Sequence, residues 1–366
     1  MEAVAIVVGL VLICSALIDV FMTVLYYDDV GFLSRRLYRG IWRILRVIGG
    51  RRANKPKILA LGVPLMIGGT LVMWLGLIVL GFGSLYYVGL EHGHFSVGEN
   101  LDVTLLTGFY LSAVSVSTLG YGDVTPITSL FKIATSLQAL TGLTIIALGV
   151  SYVLNINQVV RQISVFGGQL RNETAGAAQP RSLLVPHFRQ GEPRGLGDRL
   201  YQLHESLLSY YEGVRHYPIV YFFYSHRSHA STPYIFHTVG DVIAALRWGL
   251  PEDHPAALDP WLPTLVEDYL AITRHVCDRF DIEAEASKAQ PVTYEEFERE
   301  FRDRFGQRDR WLTEFLELNG WMGDLAQTPT TGDPREAYGR YQRWLPFAQL
   351  KQRFVSGTGE DLGHLA

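Results

Sequence analysis

"STLGYGD", Ser117–Asp123, holds two glycines, small hydroxyls and an acid, and read alone it is turn material. Its surroundings decide otherwise. Before it stands "NLDVTLLTGFYLSAVSVS", Asn100–Ser117, apolar but, at about fifteen helical residues, too short to span a bilayer. After it comes "LFKIATSLQALTGLTIIALGVSYVLNIN", Leu130–Asn157, which is long enough. Backbone that leaves the helix beside hydrocarbon is tolerated only where protein buries it or where it lines a water-filled path. The pattern therefore predicts a short re-entrant helix, capped at Asn100 with Asp102 in its first turn, and a non-helical stretch that climbs back out.

Working outward, two further apolar runs precede this unit, Ala3–Tyr27 and about Ile58–Val88, and the run after it ends near Val160. Each is long enough to cross a membrane. The first is too long, and lacks the basic start, for a secretory leader. Between the first two lies "LSRRLYRGIWRILRVIGGRRANKPK", a basic loop that marks its side of the membrane as cytoplasmic. Leu33, Leu37, Ile41, Ile44, Leu45 and Ile48 recur in it at helical spacing, which predicts an interfacial helix. Its Arg35, Arg36, Arg39 and Arg43 are candidate contacts for anionic lipid head groups. The expected topology puts the N-terminus outside and everything after residue 161 in the cytoplasm of a multi-pass cell-membrane protein.

With that context, residues 58 to 160 resemble the potassium channel pore domain: outer helix, pore helix, filter and inner helix, with Leu119 where the usual valine stands. The resemblance implies a homotetramer that conducts K+ passively. Stripping water from the ion costs on the order of tens of kcal/mol, so the protein must supply replacement oxygens. Carbonyls of Thr118, Leu119, Gly120 and Tyr121, with the Thr118 hydroxyl, would do so as stacked rings around a four-fold axis, and Gly122 completes the filter. Gly120 and Gly122 permit backbone angles that a Cβ disfavours. Tyr110 falls where relatives bond the aspartate after the filter, so a Tyr110–Asp123 hydrogen bond is expected. Val114 replaces an acid that some relatives place behind the filter. Gly142 falls at the gating-hinge position, with close helix packing as the alternative reading, one that extends to Gly149. Leu143, Ile146 and Val150 are expected to face the cavity and form the gate. No cofactor is implied; K+ is the permeant ion.

Other features leave the stimulus open. No apolar helix carries arginines at every third residue, so a voltage sensor is not expected. Asp19 lies within the first apolar run, either as a functional acid or as a carboxylate bonded to a neighbouring helix or reaching the interface. His92 and His94, beside Glu91 and Glu99, stand near the expected outer mouth, where exposed histidines usually have no special role.

Charge divides the chain. Residues 1–162 carry eleven Lys and Arg against eight Asp and Glu, whereas the remainder carries twenty-one against twenty-eight. An acidic second half argues against nucleic acid as a partner. Cys14 and Cys277 lie too far apart in kind, one in an apolar run and one in the polar half, to suggest a disulfide framework. The expected organisation is an N-terminal transmembrane helix (1–27), the basic segment (28–57), the pore domain (58–162), a Gly- and Pro-rich linker (163–197) and a helical cytoplasmic domain (198–366) of five to seven helices. The fold class is all-α. "PIVYFFY" is expected as buried core. His226, His229 and His237 are a weak metal motif, buried hydrogen-bonded histidines being the commoner outcome. No nucleophile elbow, phosphate loop or Gly-x-Gly-x-x-Gly stands in the second half, so an enzyme is not expected and the domain reads as an assembly or gating module. A nonselective cation channel or a pore-derived membrane sensor shares the architecture and stays open at this point.

Overall fold

The computed structural model describes residues 2–26, 29–49, 55–99, 101–174, 179–224, 231–282, 289–302, 309–328 and 333–362. The described residues are all-α apart from two small two-stranded ribbons. Three helical stretches, Glu2–Leu25, Lys57–Glu91 and Ser129–Glu173, are long and apolar enough to cross a membrane. The chain divides into two compact units, one of Met1–Val159 with Gly213–Phe223, the other of Val160–Glu212 with Tyr224–Ala366.

In the first unit, α1 (Glu2–Val20) continues as a short π-helix, Phe21–Leu25. It is followed by α2 (Phe32–Gly49), α3 (Lys55–Ala60), α4 (Gly62–Glu91), β1 (Phe95–Val97), α5 (Leu105–Val116), β2 (Val124–Pro126) and α6 (Ser129–Glu173). Lipid supplies no hydrophobic drive between helices, so close backbone approach at small residues has to. Gly9 of α1 and Gly81 of α4 face each other so closely that a Cβ on either would lie 2.7–2.8 Å from the other's carbonyl oxygen. Gly83 of α4 and Gly108 of α5 repeat the device, a Gly108 Cβ falling 2.6 Å from the Gly83 carbonyl.

The basic segment forms the expected amphipathic helix, α2, with Tyr38, Trp42 and Leu45 buried and Phe32, Ile44, Val47 and Ile48 exposed. Arg35 pairs with Asp29, and the Arg36 guanidinium lies 3.9 Å from the centre of the Phe32 ring. Arg39 and Arg43 are exposed. Asp19 is the anchor of this helix. At 2% exposure it accepts from the Leu33 and Ser34 amides at 2.8 and 3.3 Å, from the Ser34 hydroxyl at 2.5 Å and from the Trp74 indole of α4 at 2.8 Å. It thus caps α2 from another helix, and the positive end of that helix compensates the carboxylate. A Cβ at Gly31 would lie 2.2 Å from Asp19 Oδ1, so the turn into α2 admits only glycine there. Asp19 is thus a carboxylate bonded to neighbouring helices, as one of its readings anticipates.

Two sequence expectations change. The cap of the re-entrant helix is Thr104, which has extended backbone and accepts from the Thr107 amide at 3.2 Å. Asn100 lies outside the described residues, and Asp102 precedes the helix rather than sitting in its first turn. The expected linker from 163 begins as helix instead. The stripe Val159, Ile163, Phe166, Leu170 stays buried at helical spacing, and α6 runs on to Glu173. Gly167 and Gly168 suggested a break, but a glycine costs only about 1 kcal/mol in a helix, less than burying a Phe or Leu side chain contributes.

The second unit holds the end of α6, then α7 (Pro180–Leu184), the hairpin β3 (Phe188–Arg189) and β4 (Glu192–Pro193), and most of α8 (Leu196–His216). It continues through α9 (Thr232–Trp248), α10 (Trp261–Phe280), α11 (Tyr294–Arg302), α12 (Arg310–Ala326) and α13 (Pro334–Leu362). Leu200, Leu203, Leu207 and Tyr210 are buried at helical spacing on α8. Phe236, Tyr269, Phe347 and Phe354 stack at the centre, and Lys351 of α13 pairs with Asp241 of α9. "PIVYFFY" is buried core from Pro218 to Phe222 and half-buried after it, and through Phe223 it belongs to the first unit, where Phe222 meets Trp42 at 5.4 Å. His226 and His229 lie outside the described residues. His237 is half-buried on α9 near Asp241, and among the described residues no group of three metal-ligating side chains assembles.

Candidate functional site

The stretch after α5 has an unusual backbone. Thr118, Gly120 and Gly122 have φ of 58°, 61° and 81°, while Leu119 and Tyr121 between them do not enter the left-handed region. Alternation of this kind turns successive peptide planes the same way, so consecutive carbonyls gather on one side of the strand. The amides of Thr118 and Leu119 are drawn back onto the end of α5, donating to Ser115 and Val114 carbonyls, both at 3.1 Å. Among the described residues no donor reaches the carbonyls of Thr118, Leu119, Gly120 or Tyr121. All of residues 117–122 are exposed, Leu119 at 59% and Tyr121 at 64%. Glycine takes such angles without penalty, but the β-branched Thr118 is held there at a cost of about 1–2 kcal/mol.

Support comes from behind and beyond. Tyr110 of α5 donates to Asp123 Oδ2 at 2.5 Å, and the Val124 amide donates to Oδ1 at 3.0 Å. The Asp123 carbonyl accepts from the Gly98 amide at 2.8 Å, extending an antiparallel ribbon in which Phe95, Ser96 and Val97 pair with Pro126, Thr125 and Val124. Asp123 is therefore held through side chain and main chain at once. Phe95 packs on Phe131 at 4.8 Å and on Tyr86 at 5.6 Å, joining the ribbon to α6 and α4.

On α6, Gly142 sits against the end of α5: a Cβ there would lie 2.6 Å from both the carbonyl oxygen and Cγ2 of Val116. Helix α6 passes through this position unbroken. Close packing alone accounts for the glycine, and Gly149 packs similarly on Leu71 of α4. Leu143, Ile146 and Val150 are exposed and lie on one stripe with Leu140 and Leu154, a face that the chain's own elements leave uncovered. Val114 is buried behind the loop, so no carboxylate stands there. His92 and His94 stack at 6.2 Å, with His92 3.7 Å from Glu2, while Glu91 is engaged by the Tyr87 hydroxyl at 2.6 Å.

Sequence reasoning missed one polar cluster. Gln138 of α6, fully buried, accepts from the Tyr86 hydroxyl at 2.7 Å and donates to Ser112 of α5, to its carbonyl at 3.0 Å and its hydroxyl at 2.6 Å. A lone amide within an apolar run was the available signal.

Comparison with known proteins bears on the same segment. Residues 70–158 match the model of a family described as ion channel. The chain is 25% identical over 251 residues to the uncharacterized membrane protein YdjJ of Bacillus subtilis (strain 168), covering 68% of this chain and 71% of that one. No solved structure matches. Residues 70–158 are thus similar to an ion-channel family, and among the described residues three helices are long and apolar enough to cross a membrane.

Proposed function

We propose that the chain is one subunit of a homotetrameric K+-selective channel of the cell membrane, with Thr118, Leu119, Gly120, Tyr121 and Gly122 as its filter. The observation that carries this reading is the alternating left-handed backbone at Thr118, Gly120 and Gly122 beside a row of unbonded carbonyls. Among the described residues such a row has no partner, and it matches the demands of a dehydrated alkali cation surrounded by four copies. The exposed side chains of Leu119 and Tyr121 and the bare stripe on α6 support further copies around the same axis. Asp123 and Tyr110 support the filter from behind. Leu143, Ile146 and Val150 line the cavity, where a converging apolar ring closes the path by dewetting. Bending at Gly142 would have to release its contact with Val116, which makes that contact part of gating. The basic α2 lies on the inner leaflet, with the N-terminus of the chain outside. The second unit is then cytoplasmic and biases the gate.

The test is single-channel recording of the purified full chain in planar bilayers with K+ and Na+ on opposite sides. The expected reversal potential follows the K+ gradient and shifts when Na+ replaces K+. Equal permeability to both ions would replace this reading with that of a nonselective cation channel.

A further inference from the structure

Gln138 stands where three helices meet. Its side chain is fully buried in a span otherwise built of apolar residues, together with the equally buried Ser112 and Tyr86. A primary amide offers two donors and one carbonyl, and in hydrocarbon each must find a protein partner. Here the carbonyl takes the Tyr86 hydroxyl of α4, and the NH2 group engages the carbonyl and hydroxyl of Ser112 in α5. Ser112 lies one turn before Val116, after which the backbone enters the left-handed alternation at Thr118. The hydroxyls of Thr70, Ser84 and Thr135, by contrast, are satisfied by carbonyls of their own helices. Gln138 sends all of its polar bonds out of α6, as Tyr152 farther along sends its own to the Tyr38 hydroxyl of α2; of the two, Gln138 is the one that reaches α5.

We propose that Gln138 is the positioning residue through which α6 holds α5, so that displacement of α6 at this level is felt as loosening of the strained backbone from Thr118 to Gly122. This rests on the proposed reading of that backbone as the filter. Gln138 touches no ion. It acts through Ser112, and Tyr86 fixes the amide orientation by taking its carbonyl.

The variants separate positioning from mere stability. Gln138→Met keeps the volume, removes the bonds to Ser112 and leaves the Tyr86 hydroxyl buried without a partner. Adding Tyr86→Phe removes that orphan, and replacing both partners of a buried bond by apolar groups is close to neutral for stability. Full-length wild type, Q138M and Y86F/Q138M are compared by thermal unfolding in detergent, by hydrogen exchange of peptides covering residues 115–122, and by single-channel open times. Q138M is expected to unfold at lower temperature. It should exchange the Thr118 and Leu119 amides faster and open more briefly, each by about tenfold, the worth of one buried hydrogen bond. The double variant should regain the part of the unfolding temperature lost to the orphaned Tyr86 hydroxyl and keep both the fast exchange and the short openings. Wild-type exchange and openings in Q138M, or their return together with thermal stability in the double variant, would overturn the proposal. If wild type passes no K+ current, the channel reading fails, and the exchange data still decide the role of Gln138. Should Q138M not be recovered, Ser112→Ala carries the same test, with faster exchange expected and unchanged exchange refuting it.

Discussion

Replacing Asp19 by asparagine tests whether the cross-helix cap holds α2 as its geometry implies. All four partners of Asp19 are donors, from Leu33, Ser34 and Trp74, so the site fits a group that only accepts. Asparagine keeps one acceptor oxygen for the Leu33 and Ser34 amides. Its NH2 then faces the Trp74 indole, donor against donor; the Ser34 hydroxyl can rotate to accept, but the indole cannot. An orphaned buried donor costs about 2 kcal/mol, and exchanging a carboxylate for a neutral cap at a helix N-terminus costs about 0.5–1 kcal/mol more. The expected loss is on the order of 3 kcal/mol per chain, most of it at Trp74. Trp74→Phe removes the orphan, so in the double variant the added effect of D19N should fall to about 1 kcal/mol, a coupling of about 2 kcal/mol. Equilibrium unfolding of the full chain in mixed micelles, followed by far-UV circular dichroism, measures all four corners of the cycle. A D19N cost below about 0.5 kcal/mol, or additivity with W74F within about 0.3 kcal/mol, would refute the reasoning.

Tyr110→Phe should leave unitary conductance unchanged and shorten openings in bilayer recordings, because it frees Asp123 Oδ2 without touching a carbonyl of the proposed filter. Gly120→Ala should abolish K+ current while the protein still assembles, since a Cβ at φ 61° costs about 1–2 kcal/mol in every copy; normal current in this variant would count against the backbone geometry. Gly142→Ala separates packing from hinge: packing against Val116 predicts reduced thermal stability in detergent, whereas a hinge alone predicts slowed gating at wild-type stability. In the second unit, burial pushes the His254 pKa below its usual 6.5 while its Nδ1 accepts from the Ala256 amide at 3.1 Å. The unfolded chain therefore binds the proton first as pH falls, so this contribution is complete above pH 6.5 and is lost below it as pH drops toward the folded value. His254→Gln should flatten the decline in full-chain thermal stability as pH falls below 6.5.

The re-entrant unit was legible because its residues answer to constraints a few positions away. Gly120 and Gly122 are required by their own backbone angles, and Tyr110 reaches Asp123 over the last turns of α5 and a short loop. The length and polarity of the flanking spans left few other arrangements for such a segment. Where local rules competed, reading failed: Thr104 displaced Asn100 as cap, and burial of Phe166 and Leu170 carried α6 through a glycine pair that suggested a break. Packing glycines were not legible at all, since Gly9 and Gly81 acquire meaning only when α1 meets α4.

The polar residues inside the apolar spans follow a rule that explains which of them matter beyond their own helix. A serine or threonine hydroxyl in a helix reaches the carbonyl four residues back, as Thr70, Ser84, Thr141 and Thr144 do at 2.7–2.8 Å. A residue bonded in that way alone carries no information about its neighbours, whereas Thr23 accepts from the Gly31 amide and Ser112 from Gln138. An acid needs donors, and a helix interior has spent its amide hydrogens on the backbone ladder, so Asp19 must find them elsewhere. It does so across 14, 15 and 55 residues of sequence. A primary amide has more hydrogen-bonding capacity than its own helix can satisfy, and Gln138 distributes it over two other helices. A lone Asp or Gln in an apolar span thus marks a point where separate helices are tied together, even when the sequence does not name the partner.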